Sequence, residues 1–113
     1  MSNKAHATHT ASEILSQLGG HRFMAMTGSK NPTVIREGES LGLQLNLGRN
    51  ATSANRMRII LDANDTYTVS FERHTFSRKT LEAKNKIITK VSGIYCDMLE
   101  ALFTETTKLY TRI

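Results

Sequence analysis

The side chains able to do chemistry are few and widely scattered. His6, His9, His21 and His74 are the four histidines, and Cys96 is the single cysteine. His6 and His9 have a spacing that suits a metal, yet two histidines make an incomplete ligand set. No CxxC or HExxH pattern supplies the rest, and neither GxxxxGKS/T nor GxGxxG offers a phosphate-cradling loop. Asp62 and Asp65 are close in sequence, but Asp62-Ala63-Asn64-Asp65 is turn material whose own backbone uses those oxygens. Cys96 has no basic neighbour in the local sequence to favour its thiolate. No Ser, Thr or His stands at a motif spacing from a partner. The expectation is a protein that is not an enzyme and takes no metal or cofactor.

Charge is the stronger signal. Of 113 residues, 15 are basic and 10 acidic, a net charge of +5. Residues 73–90, RHTFSRKTLEAKNKIITK, hold six basic groups and one acidic, an excess equal to the whole net charge. Such a stripe attracts polyanions through counterion release and steering. It also suits a plain solvated strand, since lysines on an outer strand block edge-to-edge association. A hydrophobic content of 39% fits a single globular domain,. No apolar run reaches the ~20 residues of a membrane-spanning helix, and the opening residues lack a signal-like apolar core. A cytoplasmic, non-membrane protein is expected, with residues 1–9 a flexible tail and 10–113 one domain.

The elements that would position these charges centre on Arg56–Glu72. Met57, Ile59 and Leu61, then Tyr67, Val69 and Phe71, alternate with mostly polar residues across a turn, which predicts a β-hairpin with one buried face. Leu41–Leu47 alternates still more cleanly. His21–Thr27 reads as a first strand, Thr33–Ile35 as a short edge strand, and Leu81–Lys90 as a last one. His74–Thr80 reads as a polar connection. Thr10-Ala11-Ser12-Glu13 matches a capping box, predicting a short helix that ends at Gly19-Gly20. Ser92 would cap a final helix from Gly93 to about Leu109, and the Leu109–Ile113 tail would pack. The fold class expected is α+β, an antiparallel sheet of four to five strands with an N-terminal short helix and a C-terminal helix on one face.

The other sheet face would then show Gln44, Asn46, Arg56, Arg58, Thr68 and Ser70. An RNA-binding sheet needs exposed stacking aromatics, but Tyr67 and Phe71 fall on the apolar side. Phosphate-backbone contact is the nucleic-acid mode left. The candidate contacts are Arg56, Arg58, Arg73, Arg78, Lys79, Lys84, Lys86 and Lys90. A double-stranded-RNA-binding domain shares the helix–strands–helix order but needs a basic start to its last helix. Here that start is acidic, SGIYCD.

Gly19-Gly20, Arg22-Phe23 and Met26-Thr27-Gly28-Ser29-Lys30 together resemble an opening found in a family of small proteins encoded by phages and other mobile elements. LDANDTYTVSF (61–71) and IYCDMLEALFTETTKLY (94–110) are similar to the same family's hairpin and last helix. Asn31-Pro32 departs from the pattern, which has an aromatic after the Asn. The family has no settled activity to transfer. The resemblance implies a mobile-element accessory protein in a bacterial cytoplasm. Two functions are expected from that setting and the charge: contact with DNA or RNA backbone, or inhibition of a host defence complex by protein binding.

Overall fold

The computed structural model describes residues 3–109, with side chains from Ala7 onward. Two helices come first, α1 (Asn3–Leu18) and α2 (Gly20–Thr27). Five strands follow: β1 (Lys30–Glu37), β2 (Ser40–Asn46), β3 (Arg56–Leu61), β4 (Tyr67–Ser77) and β5 (Glu82–Ile94). A 3-10 turn at Cys96–Met98 leads into α3 (Leu99–Thr107). Every strand pairs antiparallel with its chain neighbour, so the sheet is a meander in the order β1-β2-β3-β4-β5. This is the expected α+β class, with five strands.

Strand alternation sorts the side chains as the hairpin pattern requires. Leu43, Leu45, Met57, Ile59, Val69 and Phe71 are buried on one face. The helices lay Ile14, Leu18, Phe23, Leu99 and Phe103 into the same core. The rings of Phe23 and Phe103 meet edge-on, with centroids 4.8 Å apart and planes at 72°. That contact ties α2 to α3 above the sheet.

Four sequence expectations are corrected. His21–Thr27 is helix α2, not a strand: Phe23 and Thr27, four apart, are its buried positions. The alternation of Phe23, Ala25 and Thr27 masked that helical spacing. The Thr27 hydroxyl donates to the Phe23 carbonyl at 2.7 Å, and Gly28, at φ 71°, closes the helix through its N–H to Met24. The capping-box residue Thr10 lies inside α1, buried in a stripe with Ala7, Ala11, Ile14 and Leu18, so the helix takes in residues 3–9. His74–Thr80 is not a connection, because β4 runs to Ser77. Ser92 does not cap a helix, because β5 continues to Ile94 and α3 begins only at Leu99. The expected packing of Tyr110–Ile113 and a metal role for His6 lie outside the described residues.

Candidate nucleic-acid interface

Cross-strand partners in an antiparallel sheet share a face, so the register decides which cations stand together. Gln44, Arg58, Ser70 and Lys90 form one continuous row across β2–β5, and Asn46, Arg56, Glu72 and Ile87 form the next. Both rows lie on the face away from the helices. They border a cleft of about 360 Å³, closed off by Glu37, Asp62, Thr68 and Ser92.

Charges of both signs stand on this open face. Arg58 reaches Glu37 at 3.7 Å. Glu72 is only 3% exposed, and its carboxylate accepts hydrogen bonds from Ser70 Oγ at 2.8 Å and Asn85 Nδ2 at 3.0 Å. Asp62 accepts from the Thr68 hydroxyl at 2.6 Å. Lys30, paired with Asn46, adds a fourth cation to Arg56, Arg58 and Lys90, against the carboxylates Glu37, Asp62 and Glu72; Arg58–Glu37 is the ion pair formed on this face among the described residues. Its carboxylates offset most of that positive charge and weaken its long-range pull on a polyanion.

The remaining five candidates sit elsewhere. β3 stops pairing at Arg56 opposite Glu72, while β4 and β5 run on together to Ser77 opposite Glu82. Residues 73–77 and 82–86 therefore form a two-stranded arm reaching about 17 Å beyond the sheet at the usual rise per strand residue. Arg73 pairs with Lys86 and Thr75 with Lys84, so Arg73, Lys84 and Lys86 occupy one face of the arm. That face is continuous with the helix side of the sheet. Arg78 and Lys79 lie in the turn at the tip. All five are exposed, and none has an ion-pair partner among the described residues. Glu82 is the arm's one carboxylate.

The base of the arm is built by Asn55. Its Nδ2 donates to the His74 carbonyl and its Oδ1 accepts from the His74 N–H, both at 2.7 Å. The side-chain amide stands where another strand's backbone would pair, and so ends β3 against β4 with both groups satisfied. The guanidinium of Arg73 donates to the Ser53 carbonyl at 3.1 Å, tying the same loop to the arm.

Sequence reasoning missed Phe76. Taken as part of a polar connection, it is a strand residue on the arm face opposite the lysines, across from Ala83, and 58% exposed. No local signal could have found it, because Arg73 and Thr75 break the apolar alternation after Phe71. His21 and His74 stand apart. His21 is exposed on α2, whereas His74 is half-buried in a shallow cleft with Asn46, Leu47, Asn55 and Arg56, where no carboxylate lines the wall. Cys96 is exposed in the 3-10 turn. No helix among the described residues is long and apolar enough to cross a membrane. Comparison with family models, curated proteins and solved structures finds no match to the chain.

Proposed function

We propose that the chain is a non-enzymatic nucleic-acid-associated protein that grips phosphate backbone with the β4–β5 arm. One observation carries the reading: a two-stranded ribbon outruns its sheet and presents five exposed cations against one carboxylate. Arg73 and Lys86 stand directly opposite each other, an arrangement that destabilises a sheet,. The bond from Arg73 to the Ser53 carbonyl does not remove that repulsion, whereas a polyanion relieves it. A two-stranded ribbon also has the cross-section that a duplex groove admits. Arg56, Arg58 and Lys90 are assigned no more than a supporting part, because Arg56 and Arg58 are half-buried and the face they share also carries Glu37, Asp62 and Glu72. The resemblance to mobile-element proteins gives the setting, an accessory protein of a phage or similar element.

Fluorescence anisotropy with short DNA and RNA, single- and double-stranded, tests the proposal at low and moderate salt. Binding should weaken steeply with salt, and R78A/K79A/K84A should lower the slope of log K against log salt by about 2–3. The pair R56A/R58A should leave that slope close to the parent's. Salt-independent binding, or none at low salt, sinks the reading.

A second reading, capture of a host protein, rests on the free edge of β1, where Val34 is 40% exposed beside an apolar groove under α1. An extended segment could add to such an edge as a sixth strand. A stoichiometric partner that survives nuclease digestion and is lost in V34K would favour it over the first.

A further inference from the structure

The arm is amphipathic through its thickness. One face carries Arg73, Lys84 and Lys86. The other carries Phe76 over Ala83, and Leu81 closes the tip beside Arg78 and Lys79. Phe76 is 58% exposed and Leu81 76% exposed, and Ala83 is too small to cover the ring. Leu81 also adopts φ 56°, a left-handed conformation that a turn normally gives to Gly, Asn or Asp,. Neither burial nor turn chemistry accounts for a leucine there. Two large apolar side chains are thus held in water at the end of the most cationic element.

We infer that the tip of the arm is a wedge for duplex nucleic acid, in which Phe76 and Leu81 enter a base step while Arg78 and Lys79 hold the flanking phosphates. The inference rests on the reading just given and adds to it the substrate form and a mechanical effect. Proteins that bend duplexes insert apolar side chains between base pairs and kink the helix away from them. Phosphates outside and an apolar stack inside match what the tip offers. A single strand is the poorer fit, because sequence-neutral single-strand binders line a groove with successive aromatics. The arm has one ring on a free ribbon. A lipid surface fits less well still, since interfacial anchors bury a long apolar face and here two side chains stand against five cations.

The test combines anisotropy with energy transfer between dyes at the two ends of a short duplex, and compares the parent with F76T/L81N. Threonine suits the strand position and asparagine suits the left-handed turn, so the variant keeps its fold. The parent should bring the duplex ends closer on binding. F76T/L81N should keep the salt slope, since its phosphate contacts remain, and lose the gain in energy transfer. If the parent binds duplex without bending it, or the variant bends it equally, the wedge is overturned while backbone binding stands. Tighter binding to single strands than to duplex, or preferential uptake by anionic phosphatidylserine vesicles, overturns the duplex assignment. Absence of binding to any nucleic acid overturns both inferences together.

Discussion

Asn55 shows how one side chain can shape an element. Its amide satisfies both backbone groups of His74, nineteen residues away, at the point where the arm leaves the sheet. Asn55→Ala should cost about 1–2 kcal/mol, because two strand groups lose their partners where water reaches them only in part. Amide exchange of residues 73–77 should quicken more than that of β3; unchanged exchange at His74 would contradict the assignment. Nothing local in the sequence announces this bond, since the loop reads only as polar residues and its partner is fixed by tertiary register. Tyr67 makes a second case. Its hydroxyl donates to Gln17 Oε1 at 2.8 Å, linking the sheet to α1. Burial, the largest cause, pushes the hydroxyl above its ordinary 10.0, and the charges of Cys96 and Glu13 push it the same way. The folded hydroxyl therefore keeps its proton to higher pH than the unfolded one. Its contribution is fully present below pH 10.0 and is lost as pH rises through the folded value,. Urea unfolding from neutral to strongly alkaline pH should show a decline that is shallower in Tyr67→Phe.

Elements were legible where one period dominated. β2 and the β3–β4 hairpin alternate in sequence, and Leu43, Leu45, Met57, Ile59, Val69 and Phe71 are buried as that alternation names. Ile60, Ser70 and Glu72 of the opposite face are buried as well. α2 is the instructive exception. Seven residues with Phe23, Ala25 and Thr27 at alternate positions satisfy a strand template, yet Phe23 and Thr27 also stand four apart. Packing against Phe103 decided between the two, and Phe103 lies eighty residues away. The same limit hid the arm, because a ribbon exposed on both faces has no buried stripe to mark it as strand. Gly42 illustrates a close approach that pattern alone cannot reveal. A Cβ there would stand 2.0 Å from the Ile59 carbonyl and 2.9 Å from Ile60 Cδ1, in the register where Gly42 faces Ile60. Gly42→Ala must force β2 and β3 apart or shift Ile60. A loss of about 1–3 kcal/mol is expected, read as a lower urea midpoint at unchanged slope. An unshifted midpoint would show that the strands yield freely.

At the scale of the whole molecule, the meander separates two tasks. The helices and one sheet face hold the core, while the arm carries charge that the core does not need. Sequence composition located that charge within residues 73–90 but could not divide it. Lys90, four residues beyond Lys86, lies on the open face in one row with Arg58, Ser70 standing between them. A one-residue irregularity between the partners of Phe71 and Glu72 separates it from the lysines of the arm. This division makes the arm removable. His74 and Asn85 are directly paired, so an Asn-Gly turn can join them in place of residues 75–84,. The excised segment holds Arg78, Lys79 and Lys84 together with Phe76 and Leu81, and none of it belongs to the buried core. Thermal unfolding of the shortened chain should stay within a few degrees of the parent's, because little apolar area is withdrawn from the interior. Its affinity for duplex should fall sharply at low salt, with a log–log salt slope smaller by about 2–3 for the three lost cations. Arg73 and Lys86 remain at the stump, so a weak, less salt-dependent association should persist. If the shortened chain binds with the parent's affinity and slope, the contact surface is the open sheet face after all, with Lys30, Arg56, Arg58 and Lys90 as its cations. If it unfolds, the arm is part of the fold rather than an appendage, and its cations have a structural reason to exist.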